Sequence, residues 1–571
     1  MSFRATELAA PNDVEHLYAP QDFLPPGRSC CLVSITLWLY TPTNLIISLN
    51  KLKLEVLFLP GLTETSSTSC FGRSLAAIYR AFVRRIFPGL IELSGGSLSG
   101  RLIQVIRHAW VYSALCNWLC RKPFWLKSRS AITQKVIGAF LALKSFKDYS
   151  VNIADSSLLL RATTNSAWLL LLPLTAYPLI DYGLRLGKTP GGLVGTWDDL
   201  LLLLGFILVA VRIAYRGLDA YRNTELHLPL LVYFGVFLFL FLVRSPETSV
   251  GIEGVRVYLE YALWFFVGLN LPDRPRQVKT FTAFFIFFCT VAAIYGIGQY
   301  IAGVPVPTSW VDQAEAGVRC RAFSFVGSPN VLGSLMALAI PVSIAGCFSA
   351  VQLLPRVTYV LATATMALCL FLTFSRGAWF AAFIGLVIFS LMRSPRLLLA
   401  VAAISIGAPI VSPGVAGRIL YLFSSGYVDA SQRSGRISRW QAAFEKIHQH
   451  PFVGEGFGRF GGAVATRAIP GNFYVDNFYL KTAAESGLIG LATLVFVFLS
   501  AWRAGYRAFA ALSRPFEKTL AAAILSGLSA VLIHNLVENI FETPLMSTLF
   551  WLFLGLLLAL PRFETGSEPK N

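Results

Sequence analysis

The chain has 571 residues, of which 55% are hydrophobic and only 14% are charged. Because soluble globular proteins carry about 25% charged residues, this composition excludes an ordinary soluble domain and indicates an integral membrane protein. The net charge of +18 fits basic cytoplasmic loops beside anionic lipid, so membrane lipids and not nucleic acid are the expected partners. The nine cysteines form no CxxC pair and no pattern with histidine, so neither a disulfide framework nor a metal site is predicted.

Residues 1–150 are basic and poorly patterned. The segments 75–88 and 101–119 interleave arginines with apolar residues, which is typical of helices that lie on an anionic membrane face. We therefore predict a cytoplasmic or membrane-surface N-terminal region over 1–150 and a transmembrane domain over 151–571.

From Ser166 onward, apolar runs alternate with short polar joints. We predict an all-α polytopic membrane protein with about 12 transmembrane helices, each near the ~20 residues that cross a bilayer. The predicted spans are centred near Leu172, Leu204, Val236, Tyr261, Phe285, Leu338, Met366, Ile384, Ala402, Leu494, Leu525 and Phe553.

The basic residues of the short joints predict the orientation. Arg212 and Arg222 share one side with Arg274 by parity, and that side should be cytoplasmic. The opposite side then receives one large loop over about 412–485. The candidate functional residues Arg321, Arg376, Arg436, Asp476 and His534 fall on this extracytoplasmic side.

The outer face restricts the chemistry, because it offers neither ATP nor nucleotide sugars. A transferase there needs a donor activated elsewhere, such as a glycan carried on a lipid pyrophosphate. Arginine suits such a donor because its planar guanidinium grips phosphate oxygens bidentately and stabilises charge on the departing pyrophosphate. The acceptor hydroxyl needs a general base, for which the loop offers Asp476, Glu455, His448 and His450.

Each candidate also has a structural explanation. Arg321 precedes a span, so its side chain fits either snorkelling to the membrane surface or binding a ligand. Arg376 lies between two spans, where a charge near hydrocarbon costs free energy unless it is paired or functional. Arg436 fits a solvated loop face. Asp476 fits an Asx turn that opens the next helix, and His534 fits a cap at a span end.

Five motifs occur in order: Arg321 to Ser-Pro-Asn330; Phe374-Ser-Arg-Gly377; Gly435-Arg436-x3-Trp440; His450-Pro-Phe-Val-Gly-x-Gly-Phe-Gly458; and Asn477-Phe-Tyr-Leu-x4-Glu-x-Gly-Leu-x-Gly490. Together they resemble the O-antigen ligase superfamily, which includes O-antigen ligases, O-antigen polymerases and protein O-oligosaccharyltransferases. The resemblance covers roughly residues 200–560 and is densest over 430–490. It implies a bundle of about twelve transmembrane helices with a large periplasmic loop in the bacterial inner membrane.

The resemblance also implies an activity: metal-independent glycan transfer, with no cofactor, from undecaprenyl pyrophosphate to a glycan or lipid acceptor hydroxyl. The two essential arginines of the family fall on Arg321 and Arg436. The catalytic histidine of the family falls on Asp476, a departure that favours a polymerase or another surface-polysaccharide ligase over a strict lipopolysaccharide ligase.

Further residues are expected around this core. Arg376 and His534 are expected to line the pocket, and Arg439, Asn477 and Tyr479 are further candidate substrate contacts. Asn477, Tyr479 and Glu485 also fit a purely structural role at the junction between the loop and the next helix.

Two other functions remain open at this point. An anion transporter of bicarbonate type would use many spans with buried arginines, and would be expected to show paired discontinuous helices in related halves. No internal repeat links 166–350 to 351–560. A membrane scaffold would tolerate replacement of the arginines. The sequence does not distinguish a ligase from a polymerase, nor name the sugar.

Overall fold

The computed structural model describes residues 165–187, 195–216, 220–305, 320–411, 416–417, 420–421, 423–433 and 435–564. The predicted N-terminal region over 1–150, with its amphipathic segments, lies outside the described residues. Within these ranges the fold is helical, and the pairing of Pro305 with Cys320 is an isolated bridge rather than a strand.

Seventeen helices organise the described part of the chain. In chain order, α1 to α17 are Ala167–Thr175, Tyr177–Leu186, Trp197–Arg216, His227–Val243, Thr248–Leu259, Trp264–Asn270, Pro275–Ile301, Pro329–Ser349, Leu353–Leu372, Arg376–Arg393, Arg396–Val411, Ser425–Arg433, Arg436–Gln449, Ala463–Ala468, Phe478–Ala511, Pro515–His534 and Pro544–Ala559.

Seven of the described helices are long and apolar enough to cross a membrane: α7, α8, α9, α10, α15, α16 and α17, the last extended to Phe563. They match the predicted spans near Phe285, Leu338, Met366, Ile384, Leu494, Leu525 and Phe553. The bent pair α1 and α2, which meet at 69°, raises the number to eight if the two form one broken span.

The remaining predicted spans take other forms among the described residues. Helices α4 and α11 are apolar but short, with 17 and 16 residues. The apolar stretch around Tyr261 is divided between α5, a 3-10 turn and α6. The described part of the chain therefore does not show the twelve full-length spans that the sequence predicts.

The centre of the bundle is formed by α8, α16 and α17. Between 78% and 89% of the apolar window of each is buried, compared with 22% for α9. Helix α8 packs against α9, α10 and α16, while α17 packs against α6. Helices α8, α10 and α16 are also in mutual contact.

Basic residues that the sequence predicts on one side of the membrane lie at one end of the bundle. Arg212 and Arg222 both pair with Asp273, and both donate to backbone carbonyls at the end of α6. Asp273 directly precedes Arg274. The contacts thus bring these three arginines to the same end of the bundle.

The stretch predicted as a large loop is partly helical. Helices α12, α13 and α14 lie within it, and its last residues already belong to α15. A buried cluster of Ala443, Phe460, Val475 and Ala484 packs α13 and the following loop against the start of α15. The loop therefore has a small apolar core of its own.

Candidate active site

The turn between α16 and α17 contacts the start of α15 and the long loop before it. Its backbone carbonyl at Asn535 accepts a hydrogen bond from Phe478 N at 2.9 Å. The side chain of Asn539 accepts from Asn477 N at 3.0 Å and donates to Gly461 O at 2.6 Å. These bonds hold the start of α15 and the long loop against the end of α16.

Arg321 reaches this turn through Asn330. The buried guanidinium donates from Nε to Thr373 O at 2.8 Å and from Nη2 to Asn330 Oδ1 at 3.1 Å. Asn330 in turn donates from Nδ2 to Glu538 Oε2 at 2.5 Å. The fixed hydrogen bonds make Arg321 a positioned residue and not a freely snorkelling side chain.

Arg436 is the first residue of α13, and its guanidinium faces two carboxylates. Nη2 lies 3.7 Å from Glu538 Oε1, and Nε lies 4.0 Å from Asp476 Oδ2. Burial opposes its charge, but the carboxylates of Glu538 and Asp476 outweigh burial and raise the pKa of Arg436. Nε is buried and finds no hydrogen-bond partner among the described residues, so the guanidinium has capacity for a ligand.

Asp476 is held by arginines on one face of α13. Its Oδ2 accepts a hydrogen bond at 2.6 Å from Arg439, which also donates to Tyr474 O at 3.3 Å. The backbone of Asp476 has a φ of +52°, which is uncommon for a residue with a side chain. Such conformations persist where surrounding contacts impose them, and they cluster at functional sites.

Glu538 is the residue of this site that sequence reasoning missed. Its side chain is 11% exposed and lies between Asn330 and Arg436. Burial first, and the nearby Asp476 carboxylate second, raise the pKa of Glu538 to about 7, against the opposing effects of Arg436 and Arg321. An acidic residue in an apolar segment near a span end was the available signal.

Arg376 and His534 lie beside this core. The Arg376 guanidinium sits over the rings of Tyr421 and Tyr427, 5.8 and 5.2 Å from their centroids. Buried His534 has an Nδ1 atom without a hydrogen-bond partner among the described side chains. A Cβ at Gly377 would lie 3.0 Å from His534 Nε2 and 2.7 Å from Val537 Cγ2, so a larger residue there would displace these side chains.

Four helices begin around this turn. Helices α8, α10, α13 and α15 start at Pro329, Arg376, Arg436 and Phe478. Each helix N-terminus carries partial positive charge and backbone N–H groups suited to anions. Together with the guanidiniums of three arginines, they make a positive environment in which two carboxylates are embedded.

Asn477 and Tyr479 make contacts inside the protein. Asn477 caps α15 by accepting a hydrogen bond from Leu480 N at 2.9 Å, and Tyr479 donates to Leu532 O at 2.9 Å. These contacts correspond to the structural role that the sequence left open for both residues at the loop–helix junction.

Two of the sequence motifs form one packing unit. Helix α15 is interrupted at Gly487, where φ is +67° and ψ is −176°. The loop backbone binds at this break: Glu455 N donates to Ala484 O at 2.8 Å, and Leu488 N donates to Pro451 O at 2.8 Å. The motif that begins at His450 therefore packs against the motif that contains Glu485 and Gly487.

A buried ionic network lies next to this junction. Lys481 Nζ contacts Glu485 and Glu542 at 2.7 Å each and the Tyr258 hydroxyl at 3.0 Å. The two carboxylates also accept from the backbone: Glu485 from Phe460 N at 3.3 Å and Glu542 from Ala463 N at 3.0 Å. The network fixes the loop backbone to α15. Its role is therefore to support the structure of the loop.

No group of three His, Cys, Asp or Glu side chains that could hold a metal ion occurs within the ranges that the structure describes.

Comparison with known proteins supports the resemblance. A family model described as O-antigen ligase matches residues 361–495. The matched segment contains Arg376, Arg436, Arg439 and Asp476. No curated protein matches the chain. The match and the apolar helices support a multi-pass membrane enzyme that processes glycans, and the resemblance to the O-antigen ligase superfamily is confirmed over residues 361–495.

Proposed function

We propose that this chain transfers a glycan from an undecaprenyl-pyrophosphate-type lipid to an acceptor hydroxyl at the outer face of the bacterial inner membrane. The convergence of Arg321, Arg436 and two carboxylates at one turn carries this proposal, because these residues are far apart in sequence. The family match supports an enzyme that processes glycans. The identities of the donor and the acceptor are part of what we propose.

The pyrophosphate would be held by Arg321 and Arg436. Both guanidiniums are oriented by neighbours, so little side-chain entropy is lost when they bind phosphate oxygens. The unpartnered Arg436 Nε offers a donor to such an oxygen. As the bond between sugar and pyrophosphate breaks, the same guanidiniums would stabilise the developing negative charge.

A carboxylate would accept the proton of the acceptor hydroxyl. The residue at the position of the family's histidine is Asp476, which is the base expected from the sequence. Asp476 lies 4.0 Å from Arg436, so a base there would act beside the phosphate clamp. Glu538 is a second carboxylate at the same clamp.

The neighbouring side chains would shape the substrate pocket. Arg376 and the tyrosines beneath it would form one wall of the pocket that receives the glycan. Arg439 would hold Asp476 in place, and His534 would border the pocket from the end of α16. The arginines would supply the charge needed at the leaving group, so transfer should proceed without a metal.

The test is a transfer reaction with purified protein in lipid bilayers. The donor is lipid pyrophosphate-linked oligosaccharide extracted from cells that lack this chain, and the acceptor is the glycan and lipid fraction of the same cells. Wild-type protein should form the transferred product in the presence of EDTA. A protein that binds no lipid pyrophosphate and forms no product would refute the proposal.

The species that accumulates in cells without this chain separates two versions of the function. Long glycans on the carrier lipid would identify a ligase, and single repeat units would identify a polymerase. The accumulation of neither species would count against both.

A further inference from the structure

We propose that Glu538, and not Asp476, accepts the proton of the acceptor hydroxyl. In this proposal Asp476 positions the arginines. This inference rests on the proposed function and assigns the base within it. Glu538 lies outside the segment matched by the family model, on the turn between α16 and α17.

The position of Glu538 in the site is the first argument. It accepts a hydrogen bond from Asn330, which is bonded to Arg321, and its other oxygen faces Arg436. Glu538 therefore lies between the two arginines of the proposed clamp. A carboxylate at this place is positioned to meet an acceptor that attacks a sugar on the clamped pyrophosphate.

The pairing of the two carboxylates with arginine is the second argument. Oδ2 of Asp476 accepts a hydrogen bond from Arg439 at 2.6 Å and also faces Arg436, so Asp476 is already held in a close ion pair. In Glu538, Oε2 accepts from Asn330, while Oε1 is 3.7 Å from Arg436, beyond hydrogen-bond distance. Oε1 can thus accept a hydroxyl proton while Oε2 keeps the carboxyl group oriented.

The proton affinity of Glu538 is the third argument. Burial raises its pKa to about 7, and a general base works best when its pKa is near the working pH. The charged and titratable groups that face it are Arg321 before α8, Arg436 on α13 and Asp476 before α15. On its own element, His534 lies at the end of α16.

The proposed step transfers the sugar and one proton. The acceptor oxygen forms a bond to the anomeric carbon of the donor sugar, and its proton passes to Glu538 Oε1. The bond from that carbon to the pyrophosphate oxygen breaks, and the lipid pyrophosphate leaves with the electron pair. Glu538 later releases the proton to water, which restores the carboxylate.

The experiment compares three variants in the transfer reaction described above. Glu538→Gln keeps the shape of the side chain, and its amide oxygen can still accept from Asn330. Asp476→Asn makes the same change at the rival base. Glu253→Gln is the matched control, because that carboxylate is exposed and pairs with the exposed Arg467.

For Glu538→Gln we expect kcat to fall by about 10²- to 10⁴-fold, the usual contribution of a general base. Binding of undecaprenyl pyrophosphate should change by less than about threefold, because the guanidiniums remain. In the wild type and in Glu253→Gln, transfer should fall as the pH drops below about 7, because the carboxylate becomes protonated. In Asp476→Asn this acid limb should persist but move to lower pH, because the Asp476 carboxylate helps to raise the pKa of Glu538. The limb should be absent from the residual activity of Glu538→Gln.

The opposite pattern would overturn the assignment: Glu538→Gln keeps wild-type rate and acid limb while Asp476→Asn loses both. If Glu538→Gln does not fold, Glu538→Asp serves instead. It should keep the acid limb at a reduced rate, and loss of the limb in this variant would contradict the inference. Failure of the wild type and of Glu253→Gln with every donor would refute the proposed function itself, and this inference with it.

Discussion

Replacing Gly487 by alanine puts a methyl group where the structure has no room for one. A Cβ at this position would lie 2.1 Å from Phe452 O and 2.5 Å from Val453 N, both of them backbone atoms. The backbone itself, with φ +67° and ψ −176°, is in a region essentially restricted to glycine. Alanine therefore has to move either the loop or the break in α15.

The cost can be worked out from these contacts. Backbone strain in this region contributes about 1–3 kcal/mol. Displacing the loop also weakens the hydrogen bonds from Leu488 N to Pro451 O and from Gly456 N to Glu485 O, each worth about 1 kcal/mol. We therefore expect Gly487→Ala to destabilise the protein by roughly 3–5 kcal/mol, and to displace the loop that carries Asp476.

The assay is thermal inactivation in detergent at a fixed heating rate, since large membrane proteins often unfold irreversibly. The matched control is Gly235→Ala in α4, where a Cβ meets nothing within 4 Å and should add up to about 1 kcal/mol of stability. A Gly487→Ala protein that inactivates at the wild-type temperature and retains wild-type transfer would refute the reasoning about the helix break.

Three further predictions concern charge. Arg436→Lys should weaken binding of undecaprenyl pyrophosphate by about tenfold or more in a lipid-binding titration, because an ammonium cannot hold phosphate bidentately; Arg467→Lys, in an exposed pair, should bind normally. Lys481→Met should destabilise the protein by about 3–5 kcal/mol in thermal inactivation, because it leaves two buried carboxylates facing each other; wild-type stability would contradict the supporting role of that network. Glu538→Gln should raise the inactivation temperature at pH 8 and leave it unchanged at pH 4, because the raised pKa makes ionised Glu538 costly to the folded state above pH 7; a lower temperature at pH 8 would argue against that cost.

The sequence by itself determined the helical class and the candidate arginines. Long apolar runs can satisfy their backbone only as helices in lipid, and so the spans near Phe285, Leu338 and Phe553 were predictable. The alternation of predicted spans and the sequence motifs were sufficient to place Arg321 and Arg436 on the same side of the membrane. Charged residues near spans are rare, so these arginines could be singled out.

The tertiary structure decided which side chains meet and how the helices are interrupted. Asn330 and Glu538 are 208 residues apart, and nothing in the local sequence of either predicts their hydrogen bond. The break at Gly487 depends on a loop segment at Phe452 and Val453, about 35 residues earlier in the chain, that lies against it. Hydropathy and local propensity report the preferences of neighbouring residues, whereas a site assembled from the ends of four helices is set by how those helices pack.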